Sequence, residues 1–334
     1  MRIDAVAPAL VDAETAALLA QLRNAAAVVD SPHLTPVSAD HVRLRLRHGW
    51  DDRPTPHLFV ATSDSGDVVG CAELELPVWD NLHMAYVDLE THPDHRGVGI
   101  GDVLLDSVLT TVRSAGRRLL IGDAWANSHR DHFWRRHGFA VASRDAQRRL
   151  LMADLDWARL DQLDDESAAA STDYDIVALP VPAPAELMSG LLDLHRAMND
   201  APLDELELED DVWTEERSRG YEMAMTHRGI RLHRLLARRR ADGALGGHTV
   251  VAVEDERPWI GFQEDTAVVR GHRGHRLGLR LKIEMLRRLA TSEPRVELVD
   301  TWNAESNTHM LAVNDAIGCV VVGHSVEVQQ RLTP

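Results

Sequence analysis

The sequence predicts an α+β fold built twice in one chain, each copy a mixed, mostly antiparallel sheet flanked by helices. Three observations predict it. First, His95-Arg96-Gly97-Val98-Gly99-Ile100-Gly101 returns 177 positions later as His272-Arg273-Gly274-His275-Arg276-Leu277-Gly278. The same offset carries Gly70 onto Gly247, Asp88 onto Asp265, Asp123 onto Asp300 and Trp125 onto Trp302. Second, each glycine loop follows strand-like apolar runs and precedes a helical periodicity. Third, 334 residues suit about two domains of roughly 150 residues each. A period this long marks a duplicated domain, since solenoid units repeat every ~20–50 residues.

The elements follow in order. Residues 9–29 carry a helical pattern with Pro8 just ahead of it. Strands are expected at 57–62, 68–76 and 84–89, then the first loop and a helix over 102–115. A strand at 118–124 leads to a helix at 130–137, which Gly138 stops. Apolar-alternating stretches occupy 139–142 and 150–155. The polar, acidic, small-residue run at 161–172 reads as part of a linker, which divides the chain into domains at 1–160 and 176–334 with a linker at 161–175. In the second copy helices are expected at 185–199 and 214–227, and strands at 233–238, 248–253 and 260–269. The second loop, a helix to Leu289, a strand at 296–302 and a helix at 308–316 complete it.

Composition narrows the function. The net charge of −17 opposes sequence-independent nucleic-acid binding, which needs a basic face. It suits a cationic acceptor such as an amine, as well as simple solubility. No apolar run approaches the ~20 residues that span a bilayer, so no membrane partner is expected. The first twenty residues contain acids and do not read as a signal peptide. Cys71 and Cys319 each sit in apolar surroundings and suggest no disulfide framework, so a reduced cytoplasm is the expected location. His129, His132 and His137 crowd one helix without a further ligand set, so no metal is expected. Oligomeric state is not legible.

The loops carry the chemistry. Glycine permits positive φ and close approach of backbone to a ligand. The unpaired N–H groups of the following helix, with its dipole, favour an anion such as a pyrophosphate. The dinucleotide fingerprint is excluded, because the sixth position from Gly97 is Asp102. A nucleotide P-loop is excluded by the absence of Gly-Lys followed by Ser or Thr.

Arg96, Gly99 and Gly101 fit the pattern Gln/Arg-x-x-Gly-x-Gly/Ala, with Pro93 just upstream. Asn127 precedes Gly138-Phe139 by 11 positions, and Asn307 precedes Gly318-Cys319 by the same 11. In this the chain resembles the GNAT superfamily of N-acetyltransferases in both halves, and its tandem copies are similar in architecture to the mycothiol synthases. The resemblance implies a splayed acetyl-CoA cleft in each domain, with acetyl-CoA as cosubstrate. It places Leu89, Thr91, Arg96, Gly97, Val98, Gly99, Gly101, Asp102 and Asn127 at the first cofactor site. It places Val268, Arg273, Gly274, Arg276, Gly278 and Asn307 at the second. Arg276 departs from the family glycine, where it blunts the backbone approach or adds a phosphate contact. Many family members carry a tyrosine that protonates the leaving thiolate; Trp134 and Asn314 stand there and cannot.

Acetyl transfer to a primary amine also needs a proton acceptor and an oxyanion contact. Asp88 and Asp265, matched by the repeat, are the candidate catalytic acids, with Glu90 and Glu264 beside them and Asp123 and Asp300 next in line. Strand alternation puts Asp88 and Glu90 on one face and Glu264 and Asp265 on opposite faces. These acids equally suit turn caps or partners for the loop arginines. The expected function is therefore direct acetyl transfer from acetyl-CoA to the primary amine of a small molecule. The alternatives are a catalytically inactive acyl-CoA-binding regulator or scaffold, and a nucleotide- or phosphosugar-binding module.

Overall fold

The computed structural model describes residues 1–53, 55 and 57–333; Pro334, the last residue of the expected second domain, lies outside them. In chain order the first elements are β1 (Arg2–Val6), α1 (Ala13–Asp30), α2 (Ala39–His48), β2 (His57–Thr62), β3 (Val68–Glu75) and β4 (Met84–Thr91). Then come α3 (Ile100–Ser114), β5 (Leu119–Trp125), α4 (His129–Arg136), β6 (Ala140–Leu151), α5 (Trp157–Ala170) and β7 (Tyr174–Leu179). The remainder is α6 (Met188–Arg196), α7 (Glu215–His227), β8 (Ile230–Arg239), β9 (Leu245–Glu254), β10 (Ile260–Val268), α8 (Leu277–Ser292), β11 (Leu298–Ala304), α9 (Thr308–Ala316) and β12 (Val320–Arg331).

The chain divides into two compact units that interleave in sequence. Unit 1 comprises Met1–Asp145, Leu203–Glu209 and Gly323–Pro334. Its strands run in the order β1-β2-β3-β4-β5-β12. All neighbours are antiparallel except β4 and β5, which are parallel. Helix α3 buries Leu104, Leu105, Val108 and Val112 against one face of this sheet, with Val87, Leu120, Val326 and Val328 beneath them. Helices α1 and α2 cover the other face with Leu19, Leu22 and Leu46 on Leu58, Val60 and Cys71.

Unit 2 comprises Ala146–Pro202 and Asp210–Val322. Its strands run β11-β10-β9-β8-β7, again antiparallel apart from one parallel pair, β10 and β11. Helix α8 packs Leu281, Ile283, Met285 and Leu289 onto Val251, Val253 and Val299. Leu191 and Leu194 of α6 pack on Leu236 and Leu245.

The segment read as a linker, 161–175, is largely helical instead. Asp156 caps α5 by accepting from the Arg159 N–H at 2.9 Å. Leu160 and Leu163 are buried, while Arg287 of α8 holds Asp161 at 2.8 Å and Asp164 at 2.6 Å. The acids that imitate a linker are thus the polar face of a packed helix. Strands β1, β7 and β12 and helix α2 also form where the sequence pattern marked none.

Candidate active site

In unit 1 the parallel pairing of β4 with β5 runs from Met84↔Leu119 to Val87↔Gly122 and stops. Beyond it β4 stays paired with β3 as far as Thr91↔Gly70, and β5 stays paired with β12 as far as Trp125↔Ser325. Each strand keeps its outer neighbour, so the two part from one another at Asp88 and open a wedge with unpaired backbone on its walls.

The loop stands over that wedge. Gly97 and Gly99 have φ of 77° and 89°, the left-handed region that favours glycine. The first helical bond of α3 runs from the Val103 N–H to the Gly99 carbonyl at 3.2 Å, and no side chain caps the start. The N–H groups of Ile100, Gly101 and Asp102 are therefore left to a ligand. Gly101 is dictated by packing, because a Cβ there would meet Phe133 at 2.8 Å. Leu89, Thr91, Arg96, Gly97, Gly99, Gly101 and Asp102 all line one cavity of about 70 Å3. Val98 and Asn127 do not; Val98 is 71% exposed, and Asn127 takes φ 64° in the turn before α4. His95, His129, Arg130, Phe133 and Arg136 join the lining without having been singled out for it. Arg130 is already paired with Asp88, while Arg136 stays reachable for an anionic guest because Asp102 holds it only at an exposed 3.1 Å pair.

Arg96 anchors the loop. Its Nε donates to the Thr91 carbonyl at 3.3 Å, and its other nitrogens hold Asp30 at 3.2 and 2.5 Å. Unit 2 repeats the device: Arg273 Nε donates to the Val268 carbonyl at 3.1 Å, and its Nη2 donates to Asp200 at 2.5 Å.

In unit 2, β10 pairs with β11 from Ile260↔Leu298 to Phe262↔Asp300 and then leaves it, while staying on β9 to Val268↔Gly247. A β-bulge lies between Gln263 and Thr266, so simple alternation does not govern Glu264 and Asp265. The loop is rebuilt with a side chain. Arg276 takes a left-handed φ of 55° at the position where Gly99 takes 89° in unit 1, and its guanidinium turns to Glu166 of α5 at 3.0 Å. The first bond of α8 runs from the Arg280 N–H to the Arg276 carbonyl at 3.2 Å, leaving the N–H groups of Leu277 and Gly278 at an uncapped start. Gly274 and Gly278 face open space. Asn307 caps α9, accepting from the Met310 N–H at 3.2 Å, so its side chain serves the helix.

The two strand aspartates meet different partners. Asp88 accepts from Arg23 at 2.8 Å and from Arg130 at 2.5 Å, and Arg130 also reaches Asp123 at 3.4 Å. Burial pushes the Asp88 carboxyl up, but the two arginines hold it well below the usual carboxylate range. Its neighbour Glu90 is raised by burial and by the charge of Asp88, against Arg130. A second cavity of about 310 Å3 opens here, and six carboxylates (Asp30, Glu73, Glu75, Asp88, Glu90, Asp123) and three arginines (Arg23, Arg45, Arg130) line it.

Asp265 faces imidazoles instead. His195 Nδ1 lies 3.8 Å away, beyond hydrogen-bond reach, and His195 stacks on Trp213 with centroids 4.0 Å apart. Burial raises Asp265, while His195, His248 and Arg234 lower it to a net depression. Glu264, beside it on the bulge, is pushed up to about 7 by burial and by Asp265. The two carboxyls are driven apart, the pattern that separates a fixed anion from a titrating base.

Residues 25–139, which hold the first wedge and loop, match the model of the Acetyltransferase (GNAT) family. Those residues form a GNAT-family domain within the chain. A tandem GNAT protein from the clavulanic acid biosynthesis pathway shares its fold, with a TM-score of 0.79 at 28% identity over 100% of this chain and 99% of the other. The tandem GNAT architecture expected from the repeat is thereby confirmed. Streptothricin acetyltransferase of Streptomyces lavendulae is 34% identical over 93 residues, 26% of this chain and 47% of that protein. Mycothiol acetyltransferase of Stackebrandtia nassauensis is 39% identical over 90 residues, 27% of each chain. The similarity thus spans between about a quarter and a half of these GNAT relatives. No helix among the described residues is long and apolar enough to cross a membrane.

Proposed function

We propose that this chain is an acetyl-CoA-dependent N-acetyltransferase acting on the primary amine of a small molecule by direct transfer. The observation that carries it is the parting of a parallel strand pair beneath an uncapped, glycine-rich helix start, made twice. The helix N–H groups would hold the pyrophosphate, and the unpaired strand edges would align the acyl-pantetheine arm. Bound acetyl-CoA supplies an activated acyl group; the residues supply position and proton transfer.

Transfer is assigned to unit 2. Asp88 is fixed by arginines that never deprotonate at ordinary pH, so it cannot alternate between acid and base. Glu264 titrates near neutrality and stands at the edge of the second wedge, so it would take the ammonium proton while Asp265 stays an anion. A strand N–H at the wedge would stabilise the oxyanion. Unit 1, with the glycine-rich loop, would hold acyl-CoA without reacting.

A second reading, an inactive acyl-CoA-binding scaffold, draws support from the clamped Asp88 and from Trp134, whose indole donates to the Asp123 carbonyl at 3.0 Å. Thiol release from acetyl-CoA, followed across a panel of small primary amines and diamines, separates the two. Amine-dependent turnover supports the enzyme; tight binding with no turnover for any amine supports the scaffold.

A further inference from the structure

Helix α8 carries a lysine into the apolar interior of unit 2. Lys282 is 4% exposed, and the position that the repeat pairs with it in unit 1 is the buried Leu105. Its Nζ donates to Asn314 Oδ1 at 2.8 Å, and Asn314 Nδ2 donates on to Asn303 Oδ1 at 2.6 Å. Among the described residues no carboxylate forms an ion pair with it; the nearby Asp300 is taken by Arg149 at 2.7 Å, and Asp315 by Arg148. The titrating neighbour is Cys319, whose thiol is raised by burial. Burial lowers Lys282 to about 8. An ammonium placed in an apolar core without a counter-charge costs stability, and a leucine fills the same place in unit 1.

The place explains the cost. Lys282 lines a cavity of about 10 Å3, the size of about one water, together with Gln263 of β10 and Val299 and Thr301 of β11. Gln263 and Thr301 are the first residues beyond the last parallel pair, Phe262↔Asp300. The ammonium therefore stands at the vertex of the second wedge, on the helix side of the sheet.

We propose that the Lys282 ammonium is the proton donor to the thiolate that departs when an acyl group is transferred in unit 2. This rests on the acyl-thioester reading above. The amine nitrogen forms a bond to the carbonyl carbon, the carbon–sulfur bond breaks, and its electron pair goes to sulfur. Sulfur takes a proton from Nζ. The attacking amine is the neutral form left after Glu264 has taken the ammonium proton and released it to solvent; the second amine proton then passes to Glu264 as Nζ gives one to sulfur, and thiol and amide depart neutral. Lys282 is then recharged from solvent. At the matched positions of unit 1 stand Leu105 and Trp134, neither of which can donate this proton to sulfur as an ammonium.

Lys282→Met keeps the length and removes the charge. Its melting temperature is expected to equal or exceed that of the unaltered protein, because the buried ammonium is gone. Its kcat should fall about 10²-fold with little change in KM for acetyl-CoA, and the alkaline fall in rate near pH 8 should vanish. A binding readout needs no turnover. In the full chain carrying Gly99→Glu, which closes the first loop, bound CoA should show its ultraviolet thiolate band at lower pH than free CoA. Adding Lys282→Met should return that band to the pH of free CoA. Unchanged kcat in Lys282→Met, a thiolate band indifferent to Lys282, or no CoA bound by the Gly99→Glu chain would overturn the proposal. If the unaltered protein still acetylates an amine in any of those cases, the acetyltransferase reading survives without it.

Discussion

At the scale of single residues, the two copies differ in what holds the strand aspartate. Arginines lock Asp88 as an anion, whereas Asp265 leaves Glu264 free to titrate. Glu264→Gln should therefore lower kcat about 10²-fold. In the unaltered protein kcat should rise with pH through about 7, as Glu264 loses its proton, and this rise should be absent from the variant. Asp88→Asn should keep the rise. It should instead cost on the order of 3 kcal/mol of stability, because Arg130 loses its closest acceptor. The sign follows from its depressed carboxyl: the contribution is full above the ordinary aspartate range and fades as pH falls through it. Urea melts at pH 7 and pH 3 measure this, with a smaller gap between Asp88→Asn and the parent expected at pH 3. The candidate acids were legible from the repeat, since offset alone aligned Asp88 with Asp265. Their partners were not. Arg23 and Arg130 lie far from Asp88 in sequence, and the bulge that frees Glu264 leaves no mark in the alternation of residues around it.

At the scale of elements, the loop arginine is an anchor repeated in both units. Arg96 joins the end of β4 to the end of α1 through Asp30, and Arg273 joins the end of β10 to Asp200 just beyond α6. Its carboxylate partner, 66 positions upstream in unit 1 and 73 in unit 2, could not be read from the motif. Asp30→Asn should weaken acetyl-CoA binding at the first site about tenfold, a loss of about 1.4 kcal/mol. Arg96→Gln in the same chain should add little more, because both changes break one contact. Additive losses measured by calorimetry would show that Arg96 touches the phosphates directly. The loops, the helices after them and most strands were legible from periodicity and glycine placement. Helix α5 was not, because its exposed acids outnumber the two leucines it buries, Leu160 and Leu163.

At the scale of the whole molecule, the repeat is contiguous in sequence but the compact units are not. Strand β12 lies beside β5 in the sheet of unit 1, where Val326 and Val328 are fully buried and seven residues pair with β5. Periodicity reports what a segment forms but not which unit it joins, so this exchange lay outside a reading by halves. Removing residues 323–334 should therefore destabilise unit 1, at the far end of the chain from most of its sequence. Hydrogen exchange should show protection lost from β5 and α3 first, with β8 and β9 of unit 2 retained. Loss confined to unit 2 would contradict the assignment.

The proposed activity needs acyl-CoA held by the glycine loops, one site to each loop. The most direct test is calorimetric titration of acetyl-CoA into the unaltered protein and into the Gly99→Glu and Arg273→Glu variants. In the first variant a left-handed glycine acquires a charged side chain at the cradle. In the second, a carboxylate replaces the anchor beside Asp200. The account predicts two sites, each lost with its own variant. No binding of acetyl-CoA to the unaltered protein would contradict it and leave both loops as ordinary helix starts.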